Sequence, residues 1–532
     1  MKITKVLVII FLMAAAPSYG RTAHQEHTQL RRQALKFFND GNYKDAYMVY
    51  YKLCLKVAND PKLIGGDLLQ AWYCLRNLNR LDELDAFRED AIKGHPNNWR
   101  LLRAAAGSYN QNNHWGYMVA GEFQRGSHRG GGRYANAIQR DRARALQLMN
   151  RALELTTTVP DRIEVADLYL EFGRIIFQYG GYNQAWRLQY LTDLDTLPDY
   201  ESGQGYEYST GTQGAPVDRQ GRPVFYKIPA TFESAQSDGE RWRWLLAGAA
   251  ELNPDLINRT KYAFASFLHQ QFGVQTLAAY RQFFAGARSM SDKQSGQEIL
   301  GPYDVHTLAD NETLARLADG IKRFELPEEY NYIRLFSEIA RRPDRGYASD
   351  ALRSLARIYE NRRLYDRAVD FWDQYKQYNS PEARQQIAQI TAGWGIFETA
   401  GTQPSGRRPT VEYRFRNGTA VHLKAYRIRV KLLLGDVKAY IRSNPRHLDW
   451  NKIRIDDIGW RLVHENQTRY IGSEVADWDL KLEPDERHWD RRITIDLIEP
   501  LDQAGAYLLS GEISNGNTAR IIVWVSDTTL IK

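Results

Sequence analysis

A chain of 532 residues is too long to close around one hydrophobic core and should divide into two to four domains. Its mean hydropathy of −0.56 with 12% aromatic residues describes a soluble, core-forming chain and excludes a disordered one. The 71 basic and 64 acidic side chains are interspersed, so a net charge of +7 and a pI of 9.0 argue poorly for nucleic acid, and no nucleic-acid partner is expected.

Lys2 and Lys5 precede an apolar run, Val6 to Ala16, followed by the small residues Ser18 and Gly20. This layout predicts a signal peptide over residues 1–20, cut before Arg21, and hence a periplasmic, cell-surface or extracellular protein. A membrane-spanning helix needs about 20 apolar residues. The run is shorter, and no later segment approaches that length, so no integral membrane segment is expected in the mature chain. No cysteine follows the run as a lipoprotein would require.

From residue 21 to 199 apolar residues recur at helical spacing. One set of offsets returns: Ala34, Phe37, Tyr43, Ala46 and Tyr50; then Gly173, Ile176, Tyr182, Ala185 and Gln189; then Ala356, Tyr359, Tyr365, Ala368 and Trp372. A weaker copy runs through Trp72, Leu75, Leu81, Leu84 and Arg88. A small residue lets two helices approach and the aromatic beside it fills the partner's groove, so these positions read as packing core. The pattern resembles the tetratricopeptide repeat, a pair of antiparallel helices in about 34 residues that stacks into an α-solenoid. Cys54 and Cys74 fall on neighbouring helices of such an array. Export makes a disulfide between them possible, and two buried free thiols fit equally well.

Two stretches interrupt the array. Between Tyr109 and Ala145 lies Gly126-Ser127-His128-Arg129-Gly130-Gly131-Gly132-Arg133. An anion-binding loop is one reading, but no strand is expected before it and the Gly-Lys-Ser/Thr ending of a P-loop is missing, so a flexible connection between helices is expected. Residues 200–237 form an irregular insertion, in which Gly214 to Tyr226 reads as a turn with short extended flanks. A second helical repeat region is expected over 238–395, with helical periodicity from Asp238 to about Ile390.

After a Gly/Pro/Arg linker at 396–409 the period falls to two. Val411, Tyr413 and Phe415 predict a strand, Asn417-Gly418 a tight hairpin turn, and Val421, Leu423 and Tyr426 to Val430 the return strand. Further strands are expected at Trp460 to Val463, Trp478 to Leu482, Ile493 to Leu497, Tyr507 to Ile513 and Ile521 to Val525, the last two joined at Asn515-Gly516. A helical insertion spans Leu432 to Ile441. About seven strands over 410–532 predict an antiparallel β-sandwich, so the fold class is multidomain α + β.

Four segments carry a resemblance: Tyr413-Arg414-Phe415-Arg416-Asn417, Ile458 to Val463, Gly505 to Leu509 and Arg520 to Thr528. In that order, after a tetratricopeptide-like array, they resemble the first macroglobulin-type β-domain of bacterial alpha-2-macroglobulin-like proteins. The resemblance implies a large exported protein that traps proteases through a bait segment and a Cys-x-Glu-Gln thioester. Here Cys54 and Cys74 are followed by Leu-Lys and Leu-Arg, and no bait segment is recognisable. The chain therefore resembles the front end of such an architecture.

No catalytic, cofactor-binding or metal-binding residue is assigned. The 11 histidines lack a His-x-x-x-His spacing, and Asp193, Asp195, Asp199 and Glu201 read as a polar helix end. Tyr426-Arg427-Ile428-Arg429 and His488-Trp489-Asp490-Arg491-Arg492 read as a solvated basic face. The expected function is non-catalytic protein binding: a protein or peptide on the repeat surface, with proteases engaged through downstream domains. The alternative is an independent exported scaffold. An enzyme with its site in the 200–237 insertion is the third.

Overall fold

The structure is a computed structural model that describes residues 16–55, 60–177, 182–203, 214–274, 304–343, 346–398, 401–453, 462 and 468–527. The chain is mixed α/β and divides into two compact units, Met1–Gly286 with Ala309–Ala348, and Ala287–Leu308 with Ser349–Lys532.

The first unit is mainly helical: α1 (Ala16–Asn39), α2 (Tyr43–Leu55), α3 (Ile64–Asn77), α4 (Leu84–Gly94) and α5 (Trp99–Asn110). Asn98 opens α5 by accepting from the backbone N–H of Arg100 and Leu101, which satisfies two donors a bare helix end would leave unpaired. Leu101, Leu102, Ala105, Ala106 and Tyr109 then bury one face of that helix. α1 packs on α2 and α2 on α3, whereas α3 packs mainly on α5, past α4.

The stretch expected as a flexible connection is folded. It contains β1 (Trp115–Val119), β2 (Glu122–Arg125) and β3 (Arg133–Asn136), so strands flank the glycine-arginine run on both sides. With β4 (Glu201–Ser202) they form a sheet in the order β2-β1-β3-β4. The acidic stretch expected at a helix end lies instead in an irregular loop and in β4, after α8 (Tyr182–Leu188) has ended. Asp193 closes that loop on itself, accepting from the backbone N–H of Asp195 at 2.8 Å.

The chain continues through α6 (Ile138–Glu154), α7 (Arg162–Ile176), α9 (Asp238–Leu252) and α10 (Ile257–Phe272). The turn expected between Gly214 and Tyr226 is present: Val217 bridges Pro223 antiparallel, and Asp218 accepts from the backbone of Gln220 and Arg222. Tyr226 straps this insertion to the helices, donating to the Ala185 carbonyl at 2.7 Å. The region expected to stay helical to Ile390 instead holds an antiparallel hairpin, β5 (Glu312–Leu317) and β6 (Gly320–Glu325), before α11 (Tyr332–Ala340).

The second unit begins with α12 (Ala348–Asn361), α13 (Tyr365–Tyr375) and α14 (Ser380–Thr391), so the third copy of the repeat belongs with the strands. Next come β7 (Trp394–Phe397) and β8 (Gln403–Pro404), where a linker was expected, then β9 (Thr410–Arg416) and β10 (Ala420–Ile428). Asn417-Gly418 does not join a hairpin. β9 pairs with β7 and with β12 (Arg491–Asp496), whereas β10 pairs with β11 (Ile471–Lys481) and β13 (Gly505–Ile513). The reason is that Val411, Tyr413 and Phe415 of one sheet and Val421, Leu423 and Ala425 of the other face a single apolar cluster. Burying such side chains contributes about 1.5–3 kcal/mol each, far more than a turn preference.

Asn515-Gly516 does join a hairpin, of β13 with β14 (Thr518–Ser526), and β14 carries β8 in parallel at its edge. The expected helical insertion is α15 (Val430–Arg442), which precedes α16 (Trp450–Ile453). Leu433 of α15 packs with Ile428, Tyr470, Ala506 and Leu508 on the opposite face of the larger sheet. Of the strand expected at Trp460 to Val463, only Leu462 lies within the described residues, and it is buried in that second cluster.

Candidate functional site

The repeat positions lie at helix contacts. Ala34, Ala46, Tyr50, Ala185, Ala356, Tyr359, Ala368 and Trp372 are buried, while Phe37, Tyr43 and Tyr365 are half-buried. Tyr359 stacks on Phe371 with ring centroids 5.4 Å apart, and Trp372 donates to Glu360 at 2.6 Å. Tyr182 starts α8. Gly173 faces α9, where an added Cβ would lie 3.3 Å from the Trp242 ring and tighten an already close packing. Cys54 and Cys74, on α2 and α3, are buried free thiols. Burial pushes the Cys54 thiol well up and that of Cys74 up to about 11, which suits apolar packing and not nucleophilic work.

Sequence reasoning missed a chain of buried charges centred on α6. Asp141 accepts from Arg125 at 2.8 and 2.9 Å and from His114 Nδ1 at 2.7 Å, and Arg125 reaches on to Asp85 at 2.9 Å. Burial works to raise the Asp141 pKa, but the His114 hydrogen bond and the Arg125 charge outweigh it and hold the carboxyl below the usual range. Its neighbour Arg142 donates to Asp238 at 2.8 Å, which also accepts from the Thr192 hydroxyl and from Arg241. These pairs clamp the small sheet and the Thr192 loop onto the helices. The available signal was the run Asp141-Arg142-Ala143-Arg144, which sets Asp141 and Arg142 beside the apolar face of an amphipathic helix.

Two open concavities flank α9 and α10. The first, a groove of about 650 Å³, has its floor in Phe177, Trp242 and Phe267 and its walls in α7 and α10. Phe177 stacks on Trp242 at 4.9 Å and meets Phe267 edge-on at 5.5 Å, which places the C-terminal turns of α7 and α10 at one level. Ala263 and Ser266 keep the α10 wall low. Asp167, Glu171, Arg174 and Arg259 charge the rim, where Glu171 is held by Arg103 at 2.6 Å. The second, about 570 Å³, lies among α9, α10 and α11 and is walled by Leu246, Ala247, Ala250, Ile257, Phe264 and Leu335. Apolar concavities of this size with a few placed polar groups suit ligand binding.

Among the described residues no group of three or more His, Cys, Asp and Glu could hold a metal ion, and no helix is long and apolar enough to cross a membrane. In the basic segments Arg427 is exposed, whereas Arg492 is tied to Glu398 at 2.9 Å and Trp489 donates to the Arg363 carbonyl. No protein-family model matches the chain, and no curated protein matches it.

Proposed function

We propose that the chain is an exported, non-catalytic protein-binding module of alpha-2-macroglobulin-like layout, a tetratricopeptide-like solenoid followed by a macroglobulin-type β-sandwich. The observation that carries the binding role is the groove between α7 and α10: aromatic floor, low wall of small residues, charged rim. A partner segment laid there would bury apolar area against Trp242 and Phe267 and find ionic partners at the edges. The packing of α1 on α2, α2 on α3 and α3 on α5 supports the solenoid, and the apolar cluster shared by two sheets supports the sandwich. Cys54 and Cys74 are buried inside helices, so the reading gives these residues packing roles and no thioester chemistry.

The test is a photo-crosslinking residue placed at the exposed Ala263 of the full chain in its native cells, with a second at Asp479 of the other unit as control. The expected result is an exported protein captured from position 263 and not from 479. Capture of nothing, or of intracellular proteins alone, would sink the reading.

A further inference from the structure

The second concavity holds a buried cation whose countercharge is poor. The helical unit buries Arg88, Arg125, Arg142, Arg241 and Arg243. Arg125 and Arg142 each pair with an aspartate as buried as themselves, Arg241 pairs with the same buried Asp238, and Arg88 lies against Asp85, whose side chain is 33% exposed. Arg243 differs. Its side chain is 8% exposed, and its ionic partner Glu329 is 55% exposed and makes one contact at 3.2 Å. Its other contact is the Tyr226 carbonyl at 3.2 Å, and the guanidinium lies over the Phe264 ring at 3.6 Å.

A guanidinium presents two parallel donors to a carboxylate, and in a low-dielectric wall such a pair is stronger than at the surface. Glu329 uses one of them. Burial pulls the Arg243 pKa down, opposed by Tyr330 and Glu329, whereas Arg125 with its two aspartates is pushed up. The remaining charges of the pocket are committed to one another: Lys261 and Arg334 share Glu338, and Arg334 also meets Glu328. Besides these charged groups and Thr260, the lining of the pocket is aliphatic and aromatic.

From this juxtaposition we infer that the pocket among α9, α10 and α11 binds a monocarboxylate with an apolar body, its carboxylate displacing Glu329 from Arg243 and its body lying against Leu246, Ala250 and Phe264. That chemistry belongs to a small aliphatic acid and to the C-terminal residue of an apolar peptide alike. The site meets the α7–α10 groove only at Leu246, takes its charge from Arg243, and stands whether or not that groove binds protein.

Calorimetry on the full chain tests it with four probes: octanoate, octanamide, N-acetyl-Leu-Phe as the free acid, and its amide. At least one acid is expected to bind at about 1 mM or tighter, and about tenfold or more above its amide, the difference a charged hydrogen bond supplies. Octanoate binding assigns a small acid and acetyl-Leu-Phe binding a peptide end. Glu329→Gln removes the competing carboxylate and is expected to tighten acid binding several-fold. Ala247→Trp fills the pocket from an exposed helix position and is expected to abolish it, with the melting temperature showing that the variant is folded. Equal binding of acid and amide, binding indifferent to Ala247→Trp, or binding of neither acid overturns the inference.

Discussion

The two units close their cores by different means. The helical unit threads buried ion pairs through its packing, joining residues far apart in sequence: Asp85 with Arg125, Arg125 with Asp141, Arg142 with Asp238. The second unit keeps its central cluster apolar and relies on close approach of backbone and ring, as where Gly395 lies beneath Tyr413. Charge fixes a geometry because a misplaced partner leaves an uncompensated ion, whereas apolar contact fixes it through volume. An inserted sheet that buries few apolar side chains is held by the first means. Two sheets with full apolar faces need only the second.

Arg125→Met should break this comparison most sharply, since it leaves Asp141 and Asp85 in place without the guanidinium between them. A loss of about 3–5 kcal/mol is expected in urea unfolding. A loss under about 1 kcal/mol would mean that the ion pairs only decorate the packing. Gly395→Ala probes the other unit, because a methyl there would stand 1.9 Å from the Tyr413 hydroxyl and 2.4 Å from its Cζ. The cost should be about 1–3 kcal/mol. Adding Tyr413→Phe should recover part of it, since the ring carbon still crowds the site, and an unchanged melting temperature for Gly395→Ala alone would refute the close-approach argument.

Acid should separate the units with a smaller effect. The carboxyls of Asp141 and Glu89 titrate below their ordinary range in the folded helical unit: in each, burial raises the pKa but hydrogen bonds and neighbouring positive charge prevail. Their contribution is complete above the ordinary carboxylate pKa of about 4 and is lost as pH falls through the folded values. Glu360, in the second unit, is raised by burial against the Trp372 hydrogen bond, so it binds its proton more tightly when folded and favours that unit as pH falls. Pulse-labelled hydrogen exchange after equilibration near pH 7 and at about pH 2, below the lowered carboxyl values, should show α5 and α6 losing protection before β9 and β13. Simultaneous loss would contradict the difference.

Helices and their packing residues were legible because the signal is local: Ala34, Ala46, Ala356 and Trp372 repeat at spacings one or two turns can express. The meander at Trp115 to Asn136 was not, because its strands are four or five residues long, without a clean apolar–polar alternation, and held by carboxylates from Asp85 and Asp141. The β5–β6 hairpin did carry a turn signal in Asp319-Gly320, with Gly320 at φ +132°, overlooked against the helical periodicity around it. Asn417-Gly418 and Asn515-Gly516 show the limit of such signals. Both reverse the chain, and whether the flanking strands then pair depends on which faces are apolar. Arg243 and Glu329 stand 86 positions apart, and no spacing rule connects them.

The divergence of β9 and β10 at Asn417 also sets an order of events during synthesis. β10 meets β13 in a register that sets Val421 opposite Ile513, and β9 meets β12 with Val411 opposite Ile495. Neither early strand gains a hydrogen-bonded neighbour from the other: β9 has only the short β7 behind it, while β12 and both neighbours of β10, the nearer being β11 from Ile471, have still to leave the ribosome. The first helices before them close sooner, α1 on α2 and α2 on α3. Until those partners emerge, β10 and the far side of β9 present open strand edges, the interval in which such edges invite association with other chains.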